Sequence, residues 1–331
     1  MGSIPKIVST PLKWVSKKLL HRTLLRFPGG DQHSPIACVY CPEMCRFSCP
    51  TAVVSGNDAV TPYNKMGLLY KEERWPGRLS EQTQLWPLYD CTGCGRCTEY
   101  CVYDMPVAEQ LFQARQEFKW DRAIQVASDL TDETDPAGDL AFELGDQTNA
   151  KRRRENLLKT INADFVSMAS VSAAPVPVAS VSVDEPKICF YLRQNQIPSV
   201  LSWETHLASD RVPDGVIQKL VGTTWLVHES VWHSRNLKSA NKIEKWLQSL
   251  QKSGVKGIQP FAHGVDCIDC GGEGAYSKLF PTQANQMACD LWERDRHRAQ
   301  GLLCVSRRCA EHFRKALGSH IPVIALQELY D

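Results

Sequence analysis

Apolar and polar positions divide this chain into stretches of different period. Between Pro281 and Arg298, Ala284, Met287, Ala288, Leu291 and Trp292 recur at helical spacing, while Glu293 to Arg298 are left to solvent. "VAEQLFQARQEFKWDRAIQVA", residues 107–127, reads as a single helix, and "ANKIEKWLQSLQKSG" as another closed by Gly254. "KICFYL", "TTWLVHE" and the terminal "PVIAL" are short apolar runs, the pattern of buried strands. "KRRRENLLKTINADF" predicts a short basic helix. "VSMASVSAAPVPVASVSVDEP" follows neither period and is built of small residues and proline, so a flexible tether is expected there.

These elements predict four parts. Residues 1–30 form a basic arm, with Lys6, Lys13, Lys17, Lys18, Arg22 and Arg26 and no acid. Its leucines and Trp14 make no single clean stripe, so a membrane-surface helix, a docking arm and a helix packed on its own protein all remain open. Residues 31–127 form a compact cysteine-rich unit. Residues 128–186 hold an acidic segment, the short helix and the linker. Residues 187–331 mix strands and helices and predict an α/β domain.

Charge and hydropathy narrow the function classes. With 38 basic and 37 acidic side chains, nothing pulls the whole chain toward nucleic acid. No apolar run approaches the roughly 18 residues of a membrane span, and the arm lacks a signal-peptide core. A cytoplasmic protein, peripheral at the inner membrane face if the arm binds lipid, is expected. In such a reducing compartment, 14 cysteines point to metal or redox chemistry rather than disulfides.

Eight of those cysteines fall in two clumps. In "CTGCGRCTEYC", Cys91, Cys94 and Cys97 have the spacing at which a loop feeding a helix supplies three thiolates to one iron-sulfur cube. Cys101 lies about a turn beyond Cys97 and points toward a second cluster, the layout of the bacterial ferredoxin run. Gly93 and Gly95 let backbone N–H groups come close to cluster sulfur. In "CVYCPEMCRFSCP", Pro42 suits the first turn of a helix and Pro50 its end, which places Cys45 and Cys49 one turn apart on one face. Zinc sites usually join two ligand pairs a dozen or more residues apart, whereas each clump here offers four cysteines within one or two turns. Two [4Fe-4S] clusters are therefore expected over two zincs.

The two clumps, with the Pro62 segment between them, resemble the α-helical two-cluster ferredoxin domain in the iron-sulfur subunits of glycolate oxidase, anaerobic glycerol-3-phosphate dehydrogenase and heterodisulfide reductase. The resemblance covers about residues 37–115. It implies one cluster held by Cys38, Cys41, Cys45 and Cys101, and another held by Cys91, Cys94, Cys97 and Cys49. It departs from that pattern in the wider Cys41 to Cys45 spacing and in Val102, where a proline commonly follows the last cysteine.

"DCIDCGGEGAYSKLF", with the later "CVSRRC", is similar to the cysteine-rich CCG domain of the same subunits. Asp269 and Ser306 stand where that domain carries cysteines, and the domain occurs once. Cys267, Cys270, Cys304 and Cys309 could still close a third iron-sulfur cluster or a zinc site, or stand as free thiols, with His228, His233 and His263 as further ligand choices. Cys189 and Cys289 are expected as buried free cysteines. "CGGEGAY" lacks the G-x-G-x-x-G nucleotide fingerprint.

The fold expected is thus an α-helical ferredoxin domain followed by a tethered α/β CCG-like domain. The resemblance implies an electron-transfer subunit partnered by a flavin-containing dehydrogenase or a heterodisulfide-reductase-like subunit. The alternative is an assembly, scaffold or redox-sensing iron-sulfur protein whose C-terminal domain is not catalytic.

Overall fold

The computed structural model describes residues 34–131 except 42 and 80, residues 141 and 143–169, two short strands at 181–183 and 199–201, and residues 212–330 except 256. The basic arm, "KICFYL" with Cys189, and most of the expected tether lie outside the described residues.

Prolines open three helices, at positions where the missing N–H has no intrahelical partner to lose. After the single turn α1 (Ile36–Val39), α2 (Pro50–Ser55) starts at Pro50 and stops at Gly56, whose φ of 60° is left-handed. α3 (Pro62–Arg74) starts at Pro62 behind Thr61, whose hydroxyl accepts from the Asn64 N–H at 3.3 Å. α4 (Gln82–Tyr89), α5 (Arg96–Glu99), α6 (Val107–Glu117), α7 (Asp121–Ser128) and α8 (Gln147–Ala169) follow.

Two expectations are corrected here. Residues 107–127 are two helices, because Phe118 (ψ 96°) and Trp120 (ψ 125°) are extended. The break lets Trp120 stack on Phe280 at 5.8 Å and tilt against Tyr89 at 5.6 Å. Such aromatic pairs add roughly 0.5–1.5 kcal/mol beyond area burial, enough to outweigh helical continuity at one position. The basic helix is also longer than expected, at 23 residues, and takes in residues 166–169 of the expected tether.

β1 (Val181–Val183) and β2 (Ser199–Leu201) pair in parallel as a small separate sheet. The C-terminal part runs α9 (Asp214–Leu220), β3 (Trp225–His228), α10 (Ala240–Lys252), β4 (Ile258–Pro260), α11 (Tyr276–Leu279), α12 (Pro281–Asp295), β5 (Gly301–Cys304), α13 (Arg307–Leu317) and β6 (Val323–Ala325). Its sheet is parallel throughout, in the order β4-β3-β5-β6. Alternation divides the strands between two cores. Trp225, Val227 and Leu303 face Ile243, Trp246 and Leu250 of α10. Leu226, Leu302 and Cys304 face α12 and α13, against Leu291, Trp292 and Phe313. Helices on both faces explain why these strands read as continuous apolar runs.

The helical and α/β parts share a third core. Leu85, Leu88, Tyr89 and Leu111 pack in one cluster with Tyr276, Leu279, Phe280, Ala284 and Met287. Polar contacts cross the same boundary: Glu143 accepts from the Ala275 N–H at 2.7 Å, and Tyr100 Oη lies 3.3 Å from an Asp266 oxygen. Among the described residues no helix is long and apolar enough to cross a membrane.

Candidate metal centres

Two cavities in the helical part are lined by cysteine. Cys38, Cys41, Cys45 and Cys101 line one; Cys49, Cys91, Cys94 and Cys97 line the other, and Cys97 touches both. Local backbone explains the sorting. Glu43 adopts a left-handed conformation (φ 58°) and starts a tight turn at Met44–Ser48. Cys49 is then extended (ψ 115°), and Pro50 opens α2 rather than closing a helix. Cys45 and Cys49 therefore share no helical face, contrary to the reading of Pro50 as a terminator, and they serve different cavities.

The second clump needs its glycines. Gly93 (φ 72°) is left-handed, and a Cβ there would stand 2.5 Å from the Phe112 ring. Gly95 (φ 69°) caps α5, which carries Cys97 and ends at Glu99. The chain turns after that end, so Cys101 faces the first cavity instead of continuing along α5. Backbone donors already approach sulfur: the Gly93 N–H lies 3.4 Å from Cys91 Sγ, and the Tyr103 N–H 3.4 Å from Cys101 Sγ.

Burial, followed by the charge of neighbouring cysteines, pushes the Cys38 and Cys45 thiols up to about 12. Burial and then the nearby Asp269 carboxyl do the same for Cys94, and burial drives Cys97 well above the thiol range. Thiols crowded in this way ionise only when a cation joins them, so the donor sets fit iron-sulfur clusters.

The two cavities differ in charge. Beside the second, Lys65 is fully buried, donates to the Asp90 carbonyl, and lies 3.5 Å from Thr51 Oγ1, itself 3.3 Å from Cys49 Sγ. Buried Arg115 donates to the Cys91 carbonyl at 3.1 Å, and Arg235 to the Cys94 carbonyl at 2.6 Å. Burial raises the Asp90 carboxyl, against the pull of Lys65, and raises Asp269 together with the Cys270 charge. Both acids are thus pushed toward their neutral forms, while arginine stays charged. Among the described residues, the first cavity is lined by Glu43 and by no lysine or arginine.

Sequence reading missed these three cations. Arg115 did leave a signal, since it sits four positions after Leu111 and eight after Val107, on the apolar stripe of α6. Lys65 and Arg235 come into place through contacts between distant segments, which no local pattern marks.

In the α/β part, His228, Cys270 and Cys309 converge, with their ligand atoms within 4.8 Å of one another. Burial opposes ionisation of Cys270, yet a hydrogen bond from Cys309 and the charge of His228 hold it well below the thiol range. Burial likewise works against a charged His228, but Cys270 raises it. Cys267 and Cys304 stand outside this group: the Cys267 thiol donates to the Glu229 carbonyl at 2.6 Å, and Cys304 ends β5. His263 is held by the Glu229 carboxylate, and His233 is buried away from the three. Cys289 is half-buried on α12 rather than fully buried, with its thiol 3.6 Å from the Ala316 carbonyl.

Residues 35–105, which span both clumps, match the family described as a 4Fe-4S dicluster domain. No curated protein and no solved structure gives a match to the chain. The helical region is thus ferredoxin-like and suited to iron-sulfur binding, and it precedes a region with a small parallel sheet and helices.

Proposed function

We propose that this chain is an electron-transfer subunit of a multi-subunit oxidoreductase. In this reading it holds two [4Fe-4S] clusters, one on Cys38, Cys41, Cys45 and Cys101, the other on Cys49, Cys91, Cys94 and Cys97. When bound, such clusters supply reversible one-electron storage. The observation that carries the reading is the pair of adjoining cysteine-lined cavities, each taking ligands from both clumps.

The protein's own residues keep water out and tune charge. The Gly93 and Tyr103 N–H groups lie against ligand sulfur, and Lys65, Arg115 and Arg235 offset negative charge at the second site. Tyr40, Met44 and Phe47, interleaved with the ligands of the first site, are exposed, Phe47 by 84 %. Large apolar side chains left in solvent beside a redox site support docking of another subunit there. A flavin-containing dehydrogenase or a heterodisulfide-reductase-like protein is the partner that the sequence resemblance favours. The CCG-like identity of the α/β region belongs to the same reading.

The alternative of an assembly or redox-sensing protein draws on one observation: Cys267 and Cys304 stand apart from Cys270 and Cys309, so no four thiolates gather among the described residues of the α/β region. Anaerobic isolation of the complex, followed by rapid mixing with its physiological donor, separates the two. An electron carrier is reduced at turnover rates of roughly 1–1,000 per second. Reduction far slower than turnover supports the scaffold.

A further inference from the structure

We propose that His228, Cys270 and Cys309 form a mononuclear metal site of the zinc type, distinct from the eight cysteines of the helical part. The three donors come from separate segments: the end of β3, the loop before α11 and the first turn of α13. Their ligand atoms lie within 4.8 Å of one another, and the residues are 2 %, 0 % and 0 % exposed. A parallel sheet commonly places its ligand beyond the carboxyl ends of its strands, where His228 lies.

Charge and donor number select the metal. Zinc takes thiolate sulfur at about 2.3 Å and imidazole nitrogen at about 2.0–2.1 Å, so a small closing movement brings all three into its shell. Two thiolates and a neutral imidazole around a divalent cation sum to no net charge, which suits a dry core better than two bare thiolates. An iron-sulfur cube usually takes four thiolates, and this group offers two. Cys267 is turned to the Glu229 carbonyl, and Cys304 is outside the group. Three protein donors with a fourth position left over is the pattern of zinc sites that bind a further small ligand.

The surroundings fix the donors. The His228 ring is wedged edge-on against Phe313 at 5.1 Å and Phe261 at 6.2 Å, which restricts its rotation. The Ser306 hydroxyl caps α13 by accepting from the Cys309 N–H at 3.4 Å, and so sets the turn that carries the thiol. Ser306 is therefore occupied in positioning a ligand.

The full-length protein, purified without added zinc or chelator, is assayed for zinc, iron and sulfide together. About one zinc per chain is expected beside the cluster iron. His228→Gln and Cys309→Ser should each lose that zinc, from about one to near zero per chain, with iron and sulfide unchanged. Iron content reads the two-cluster proposal separately, so either reading can fail alone. Cobalt added to wild-type protein from which zinc has been removed while the cluster iron and sulfide are retained gives a second readout that needs no variant to fold. A thiolate-to-cobalt charge-transfer band with tetrahedral visible bands is expected, together with protection of two thiols from alkylation. Wild-type protein with no zinc and no such band, or zinc retained in both variants, overturns the site.

Discussion

The guanidinium of Arg235, in the α/β part, donates to the carbonyl oxygen of Cys94 at 2.6 Å. The same side chain also donates to the carbonyls of Val265 and Cys267, so one cation ties the loop of the second cavity to the segment that carries Cys270. Arg235→Met keeps the side-chain length and removes these charged hydrogen bonds. A loss of about 1–3 kcal/mol is expected, read by denaturant unfolding, with faster hydrogen exchange at Gly93 to Gly95. Unchanged exchange there would mean that the contact does not hold the loop.

Lys65 should raise the potential of the second site, because a buried ammonium favours the more negative, reduced state of a neighbouring cluster. Potentiometric titration of Lys65→Met followed by EPR is expected to show one cluster shifted down by tens of millivolts or more, since a unit charge at this range is worth roughly 2–4 kcal/mol. The other cluster should move much less. Equal shifts in both would argue against a local charge effect.

Cross-ligation can be separated from sequential ligation with Cys101 alone. Replacing it with alanine should damage the cluster held by Cys38, Cys41 and Cys45, although Cys101 belongs to the other clump. Cys49→Ala should damage the cluster held by Cys91, Cys94 and Cys97. Loss of signal within the mutated clump's own cluster in both variants would contradict the pairing.

Acid should loosen the end of the α/β part. Burial alone would raise Glu328, but the Arg314 guanidinium and the Ala325 N–H at 3.0 Å hold it below the usual carboxylate range. A depressed folded-state pKa means that this stability is present at pH 7 and lost as pH falls below about 4.3. The pair is partly exposed, so screening limits it to about 1 kcal/mol or less. Glu328→Gln should flatten the acid limb of the stability profile and lower stability at neutral pH; an unchanged acid limb would show that the pair contributes nothing.

Local pattern revealed what local forces decide. The helix at Pro281, the strands around Val227 and Ile324, and the spacing of both cysteine clumps were legible because burial imposes a period and ligation imposes a spacing. The break at Phe118 to Trp120 was not, because it exists to seat Trp120 on Phe280, about 160 positions away. Pro50 was misread because proline suits both a helix start and a point just past a helix end, and only the Glu43 turn decides between them. In the α/β part, spacing grouped Cys267 with Cys270 and Cys304 with Cys309, whereas the fold gathers one thiol from each pair with His228. Pairing across strands and helix ends is set by topology.

Iron and acid-labile sulfide per chain, measured on anaerobically purified full-length protein, bear most directly on the two adjoining clusters. About eight irons and eight sulfides are expected, and reduction should give EPR signals from two magnetically interacting centres. Four irons with a single isolated signal, or near-zero iron with zinc in its place, would contradict the two-cluster reading.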